Sequence, residues 1–446
     1  MNLIAYPGET LHGTLSLPGD KSLSHRTALF GAMADGESRV ENFLVSGVTQ
    51  VMLDALTGLG VHWQLRDNCL LVNSRGIGSW HPPENLIYCG NSATTLRLLA
   101  GALAAAGIPA VLDGSEGLHR RPMQRIVDPL KQMGVSIESS QGCAPIELGR
   151  SRMPLKPIDY TLPVASGQIK SCLLLAGLAA SGPSMLREPG PSRDHTERML
   201  NSLGIAVTSA HYPADENTPE IYTTRLIPPQ SLNLPAFQLS LPGDISAAAF
   251  LIVAALVTPG SQITLRKIGL NPTRSGILDA LQSMGAGIQI LSGEDEGGEP
   301  AGDICVRSSE LHGTEVTGTL VVRMIDEFPI FAVAAAYAQG RTIVRDAEDL
   351  RHKESDRISA MCAELRSLGV QVEETLDGFV IEGRGKISGG VVDPHGDHRL
   401  SMSLVVAGLA ASEPVMIRGA QIVTESFPTF QAELESLGAQ LKSEES

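Results

Sequence analysis

The sequence predicts a mixed α/β protein built from two related halves, and three features of the chain carry that expectation. The stretch SLPGDKSLSHR, Ser16 to Arg26, is echoed by SLPGDIS, Ser240 to Ser246, near the middle of the 446 residues. The pattern Leu-x-x-(Leu/Met)-Gly-(Val/Ile/Ala) occurs six times, with its glycines at Gly60, Gly134, Gly204, Gly285, Gly369 and Gly438. Six alanine-rich, almost wholly apolar segments begin near Leu23, Thr95, Ile169, Ile245, Phe328 and Arg399.

The echo keeps Pro-Gly-Asp and the serine but loses the lysine, so the shared part reads as architecture and Lys21 as chemistry. It also implies that the chain changes domain near Pro18 and Pro242, giving one domain from residues 1–18 plus 240–446 and another from 19–239. In the six-fold pattern, two apolar residues three apart, then glycine, then an apolar residue, mark a helix closed by a left-handed glycine and followed by a strand. A spacing of about 75 residues suits a small module of two helices and several strands better than a common solenoid repeat. Segments apolar on all sides are buried helices, and they fall short of the roughly 20 apolar residues that span a bilayer. Each follows a short polar or glycine-containing stretch: GDKS, CGNSAT, SGQ, PGD, IDE and GDHR. Clustered amino ends of such helices present free N–H groups and positive dipole ends to anions.

With 43% hydrophobic and 19% charged residues the chain is an ordinary globular protein. A net charge of −15 argues against nucleic acid as a partner, so any anion site is local. Six cysteines without a closely spaced pair point to reduced thiols in a cytoplasmic protein rather than to zinc or disulfides. The amino terminus reads as neither signal nor transit peptide. Gly293 to Pro300 (GEDEGGEP) and the KSEES tail read as solvated surface, and Asn217 to Pro235 as a connection.

Beside the helix starts stand Lys21, Ser22, Arg26, Arg97, Arg121, Ser166, Gln168, Arg193, Asp326, Lys353, Glu354, Arg357 and Arg399. Cations predominate, and a cleft lined this way focuses its field on a substrate with several phosphates or carboxylates. Plainer roles compete at some positions. Asp194 and Asp397 precede helical runs and read as caps. Arg97 is either a tie between helices or a ligand. Lys353, Glu354, Asp356 and Arg357, taken alone, read as solvated charge. His25 and His398 read as orienting groups, since carboxylates account for proton transfer.

The motifs LPGDKSLSHR, GNSATTLRLL, RRPMQR, ASGQIKS, SRDHTERML, NPTRSG, IDEFP, RHKESDR and GDHRLSM occur in one order, and with them the chain resembles the 5-enolpyruvylshikimate-3-phosphate synthases over essentially its whole length. The resemblance implies a two-domain enolpyruvyl transferase fold of six βαββαβ units, three per domain, with the active site in the interdomain cleft. It implies transfer of the enolpyruvyl group of phosphoenolpyruvate to the 5-hydroxyl of shikimate 3-phosphate, through a tetrahedral intermediate and with release of phosphate. No metal or organic cofactor is implied, nor any membrane or nucleic-acid partner, and a monomer is expected. Lys21, Ser22, Arg26, Ser166, Gly167, Gln168, Arg193, Asp326 and Lys353 match ligands of shikimate 3-phosphate. Lys21, Ala93, Arg121, Gln168, Arg357 and Arg399 match the phosphoenolpyruvate site, and Lys21, Asp326 and Glu354 the proton-transfer groups.

Two departures stand out. GNSATT places Ala93 where well-known members have glycine, so its methyl is expected to project towards the ligand. TESFP places Glu425 near the position of a family lysine that contacts phosphoenolpyruvate. Together with SRDHTERML, they resemble the divergent class that tolerates glyphosate, a phosphonate that occupies the phosphoenolpyruvate site in sensitive relatives. The sister transferase acting on a UDP-linked amino sugar is the nearest alternative; it has an alanine-lysine-asparagine start and a loop cysteine, whereas this chain has Asp20, Lys21 and Ser22 and no cysteine from Ser115 to Arg121. A non-catalytic anion-binding homologue would not need both Asp326 and Glu354.

Overall fold

Why the SLPGD stretch occurs twice is visible in the path of the chain. The structure, a computed structural model, describes residues 1–214, 220–293, 295 and 297–444. It divides into a terminal unit, Met1–Pro18, Pro242–Glu294 and Pro300–Ser446, and an inserted unit, Gly19–Leu241 and Asp295–Glu299. Strand His12–Ser16 belongs to a sheet of the terminal unit, beside Gln262–Gly269, and leads into the first helix of the inserted unit. Strand Gln238–Ser240 lies beside Ala34–Glu41 in the inserted unit and leads back into a helix of the terminal unit. Each copy thus ends a strand of one unit and starts a helix of the other. The expected division, 1–18 plus 240–446 and 19–239, needs one correction beyond the exact crossing points: residues 295–299 belong with the inserted unit.

Three helices form the centre of the inserted unit: α1 (Lys21–Met33), α2 (Ala93–Ala106) and α3 (Gly167–Gly177). Three more form the centre of the terminal unit: α4 (Ile245–Val257), α5 (Phe328–Tyr337) and α6 (His398–Leu409). All are buried along nearly their whole length, as a helix without a polar face must be. Their first turns are closed from the side: Asp20 accepts from Leu23 N at 2.9 Å, Ser92 from Thr95 N at 3.1 Å, Asp244 from Ser246 N at 2.8 Å and Asp397 from Arg399 N at 2.8 Å. Helix α5 instead carries Pro329 in its first turn, where a missing N–H costs nothing.

Among the described residues six sheets cover these helices, three in each unit, and they share one plan. In one, Ile87–Tyr88 runs parallel to Ala110–Asp113, which is antiparallel to Cys143–Leu148, itself antiparallel to Ile137–Ser140. Apart from the single-turn helix Glu116–His119, this module reads in chain order strand, α2, strand, helix Gln124–Gln132, strand, strand. The order is therefore βαβαββ, a correction to the expected βαββαβ. A tight turn at Gln141 and Gly142, both with positive φ, joins the last two strands as a hairpin, so both follow the second helix.

All six pattern glycines have φ between +80° and +111°, each directly after a helix and before a strand. The segment read as a connection up to Pro235 contains strand Ile221–Leu226, which pairs on both sides within its sheet; its Thr and Tyr residues are strand formers. Residues 217–219 lie outside the described set. Glu299, expected on the surface, is buried. All six cysteines are free thiols, and burial pushes Cys89, Cys172 and Cys362 up to about 12. Among the described residues no helix is long and apolar enough to cross a membrane.

Gly134 has φ +88°, and a methyl group there would meet nothing within 4 Å. Gly134→Ala therefore isolates backbone strain: it should lower the unfolding free energy of the inserted unit by about 1 to 2 kcal/mol, leaving enzyme kinetics unchanged. Denaturant titration against wild type checks this.

Candidate active site

In the inserted unit the candidate residues stand at the amino ends of α1, α2 and α3. Lys21 opens α1. Ser22, in the same turn, and Arg26, on the next, are both buried. The Arg26 guanidinium donates from Nε to Thr196 Oγ1 at 2.8 Å, from Nη1 to the Ser22 carbonyl at 3.0 Å and from Nη2 to Ser171 Oγ at 2.8 Å. Burial lowers its pKa to about 10, so it remains charged at neutral pH. Arg26 thus ties α1 to α3 and to helix His195–Ser202. Arg97 ties α2 to α3 in the same way, reaching Gln168 Oε1 at 2.5 Å and the Pro122 carbonyl at 2.8 Å, while Gln168 Nε2 donates to Thr94 Oγ1 at 2.9 Å. Arg121, also buried, lies two residues beyond the short helix Glu116–His119.

Ser166 precedes α3, with its Oγ 3.5 Å from Ile169 N. At Gly167 a β-carbon would stand 2.9 Å from the Arg193 carbonyl oxygen and 3.0 Å from Arg193 Cβ. Only glycine lets the start of α3 lie this close to the segment carrying Arg193. Ala93 is 1% exposed and packs into the apolar core of the unit, which corrects the expectation of a methyl presented to a ligand. Buried His25 faces the carbonyls of Lys21 at 2.8 Å and Val48 at 3.1 Å. Burial holds its pKa at about 4, so it is neutral at pH 7 and orients rather than transfers protons.

Two buried charge clusters here escaped the sequence reading. Lys170 Nζ lies 2.6 Å from Glu188 and 2.8 Å from Glu197. His195 Nδ1 pairs with Glu299 at 2.7 Å, and Arg198 donates to the Gly298 carbonyl at 3.0 Å, which explains why residues 295–299 join this unit. A lysine within a buried helix was the available signal, because such a charge requires partners. Asp194 stands at the N-cap position of helix His195–Ser202 but makes no side-chain cap bond; its carboxylate pairs with Arg198 at 2.8 Å. The expectation of a capping side chain is corrected accordingly.

In the terminal unit the centre is Arg357. Its guanidinium meets Asp397 at 2.7 Å, Glu354 at 2.7 Å and Asp326 at 3.4 Å. Burial disfavours its charge, but Asp397, Glu354 and Asp326 together more than offset this and raise its pKa. Asp397 caps α6 and is also a fully buried counter-ion, a second role the cap reading did not foresee. Arg399 donates to the Asp326 carbonyl at 3.1 Å and lies 3.8 Å from the Asp326 carboxylate and from Glu327. Glu327 accepts from Ser246, which also takes a bond from Arg274 at 2.7 Å. Lys353 pairs with Asp349 at 2.8 Å, and Glu425 lies 3.9 Å from His398.

The side chains of Asp326 and Glu354 are 18% and 17% exposed, while Arg357 between them is sealed. The arrangement therefore presents two partly exposed carboxylates on a buried cation, which favours their ionised, proton-accepting form. Among the described residues no group of three or more His, Cys, Asp and Glu side chains is placed to hold a metal ion.

Comparison with known proteins bears on this geometry. A family profile described as EPSP synthase (3-phosphoshikimate 1-carboxyvinyltransferase) matches residues 5–434. A 3-phosphoshikimate 1-carboxyvinyltransferase from Salinibacter ruber is 46% identical over 429 residues, 95% of this chain and 96% of the relative. One from Bacillus subtilis is 41% identical over 430 residues, 96% and 98% of the two chains. The solved EPSP synthase of Acinetobacter baumannii superposes with a TM-score of 0.85 at 38% identity, covering 99% of this chain and 100% of that one. The enolpyruvyl transferase NikO from Streptomyces tendae, 19% identical with a TM-score of 0.76 over 99% and 98% of the chains, shares the fold.

Burial, the largest single influence, raises the Asp397 pKa, but the charge of Arg357, the nearby His398 and the hydrogen bond from Arg357 together more than offset it, leaving it below its ordinary 3.8. Its stabilising effect is thus complete above that value and is lost as pH falls through the lower folded one. Asp397→Asn should cost about 3 to 5 kcal/mol at pH 7 by stranding part of a buried ion pair. In urea titrations the gap to wild type should stay constant down to about pH 4 and narrow below it.

Proposed function

We infer the parts played by individual residues from one premise: the chain belongs to the EPSP synthase family and transfers the enolpyruvyl group of phosphoenolpyruvate to shikimate 3-phosphate, releasing phosphate. The observation that carries the assignment of chemistry is the pair of accessible carboxylates, Asp326 and Glu354, on the sealed Arg357. The substrate 5-hydroxyl must lose a proton as it attacks the second carbon of phosphoenolpyruvate, and the methylene must gain one. We assign the first proton to Asp326 and the second to Glu354, with Lys21 assisting. Phosphate then leaves the tetrahedral intermediate while the new methyl group returns a proton.

On the same reading Lys21, Ser22, Ser166, Arg193 and the Gly167 backbone hold the phosphate of shikimate 3-phosphate, and Gln168 lies against its ring. Arg26 joins this set through its remaining N–H groups, and Asp326 and Lys353 take the hydroxyls. Arg121, Arg357 and Arg399 clamp phosphoenolpyruvate, whose phosphate and carboxylate both match guanidinium forks. The free, partly buried thiols support a reducing compartment, and we take the protein to act in the cytoplasm as a monomer.

We also place the chain in the glyphosate-tolerant class, on the strength of Ala93 and the TESFP segment. Since the Ala93 methyl is covered by core, it acts by fixing the position of the first turn of α2, leaving room for phosphoenolpyruvate but not for the longer inhibitor.

Phosphate release from phosphoenolpyruvate, with shikimate 3-phosphate or a UDP-linked amino sugar as acceptor, tests the reaction directly; only the former should support turnover. Asp326→Asn should bind both substrates but turn over about 10² to 10⁴ times more slowly; near-normal turnover would move the first proton to Lys21 or Glu354. Ala93→Gly should tighten glyphosate inhibition, because loss of the core methyl frees the first turn of α2 to shift. Its Michaelis constant for phosphoenolpyruvate should change less. An equally tolerant glycine variant would shift attention to Glu425.

A further inference from the structure

The reaction leaves Lys170 unused, although few charged groups in the inserted unit are held so completely. Its side chain is 4% exposed, on the second turn of α3. Nζ contacts Glu188 Oε1 at 2.6 Å, Glu197 Oε1 at 2.8 Å and the Ser192 carbonyl at 3.2 Å. These partners are not scattered. Glu188 ends strand Ser184–Glu188, Glu197 sits in the first turn of helix His195–Ser202, and Ser192 belongs to the segment that joins them. Arg193 is the residue after Ser192. One ammonium group therefore fastens both ends and the middle of the segment that presents Arg193.

A second contact converges on the same point. The start of α3 abuts the Arg193 backbone at Gly167, and Ser171, one residue after Lys170, bonds Thr196 Oγ1 at 2.7 Å and the Gly167 carbonyl at 2.5 Å. Burial disfavours the Lys170 charge, but Glu197 and Glu188 more than offset this and raise its pKa, so the ammonium persists at all working pH values. Being sealed, it acts on a ligand only through the groups it holds.

We propose that Lys170 is a positioning residue that sets Arg193 for the phosphate of shikimate 3-phosphate, through Glu188, Glu197 and the Ser192 carbonyl. This rests on the assignment of Arg193 to that phosphate. A residue that only stabilises the fold would alter all ligands alike when removed. A residue that aims Arg193 affects the phosphorylated substrate and spares its unphosphorylated counterpart.

The test compares dissociation constants of shikimate 3-phosphate and of shikimate, by calorimetry on the full chain, for wild type, Lys170→Met, Glu188→Gln and Arg193→Ala. Lys170→Met should weaken shikimate 3-phosphate by about tenfold, as removal of a supporting group around a site does, with shikimate nearly unchanged. Its kcat at saturating substrate should stay close to that of wild type. Glu188→Gln keeps the ammonium and its contacts to Glu197 and Ser192, so it should shift the ratio in the same direction by less; it decides the matter if Lys170→Met does not fold. Arg193→Ala should lose the ratio most fully. If Arg193→Ala keeps the wild-type ratio, the phosphate assignment falls and the proposal with it. If Arg193→Ala loses the ratio while the folded Lys170 and Glu188 variants keep it, or weaken both ligands equally, the positioning role alone is overturned.

Discussion

A helix that is apolar on every side can be buried, but its amino end cannot simply be abandoned there, because the first turn of N–H groups has no partner within the helix. Six such helices form the centres of the two units, and the groups that answer this need shape the rest of the molecule. Asp20, Ser92, Asp244 and Asp397 close first turns directly. Once a carboxylate such as Asp397 is buried for that purpose it needs a cation, and Arg357 supplies one; Arg357 in turn draws in Asp326 and Glu354. Asp326 and Glu354 thus stand where they do as a consequence of closing a helix.

The charge balance follows the same logic. The chain as a whole is acidic, yet its buried cations are gathered at helix starts. In the terminal unit Asp397, Glu354, Asp326 and Glu327 surround Arg357 and Arg399. In the inserted unit Lys170 is matched by two glutamates, while Arg26 is held by hydroxyls and a carbonyl. The orientation of these guanidinium groups is thus set in advance by other partners, which reduces the ordering that binding an anion requires.

Local patterns were legible in the sequence because their causes are local. The left-handed glycines, the six buried helices and the cap at Asp397 each depend on a few neighbouring residues. Pairings between distant residues were not legible. Asp397 looked like a cap, and nothing near it announces Arg357, 40 positions earlier; His195 and Glu299 are 104 positions apart. Glu299 misled for a clear reason: a Gly- and Glu-rich stretch ordinarily stays in water, and only the imidazole waiting in another part of the chain reverses that. The strand order had a different source, since βαββαβ came with the family resemblance and the residues themselves gave only two helices and several strands per module; the hairpin at Gln141 and Gly142 settles it.

The short segment 295–299 bears on how far the halves of this molecule are interchangeable. It lies between strands Gly287–Ser292 and Ala301–Arg307 of the terminal unit, yet delivers Glu299 to His195 in the inserted unit. A fragment excised at Pro18 and Leu241 would carry α1, α2, α3 and their sheets, but would leave His195 sealed without its carboxylate. Leaving a buried polar group unmatched costs about 1 to 3 kcal/mol. The repeated SLPGD therefore does not mark two self-sufficient modules, because the inserted unit, taken alone, would lack a piece encoded within the other.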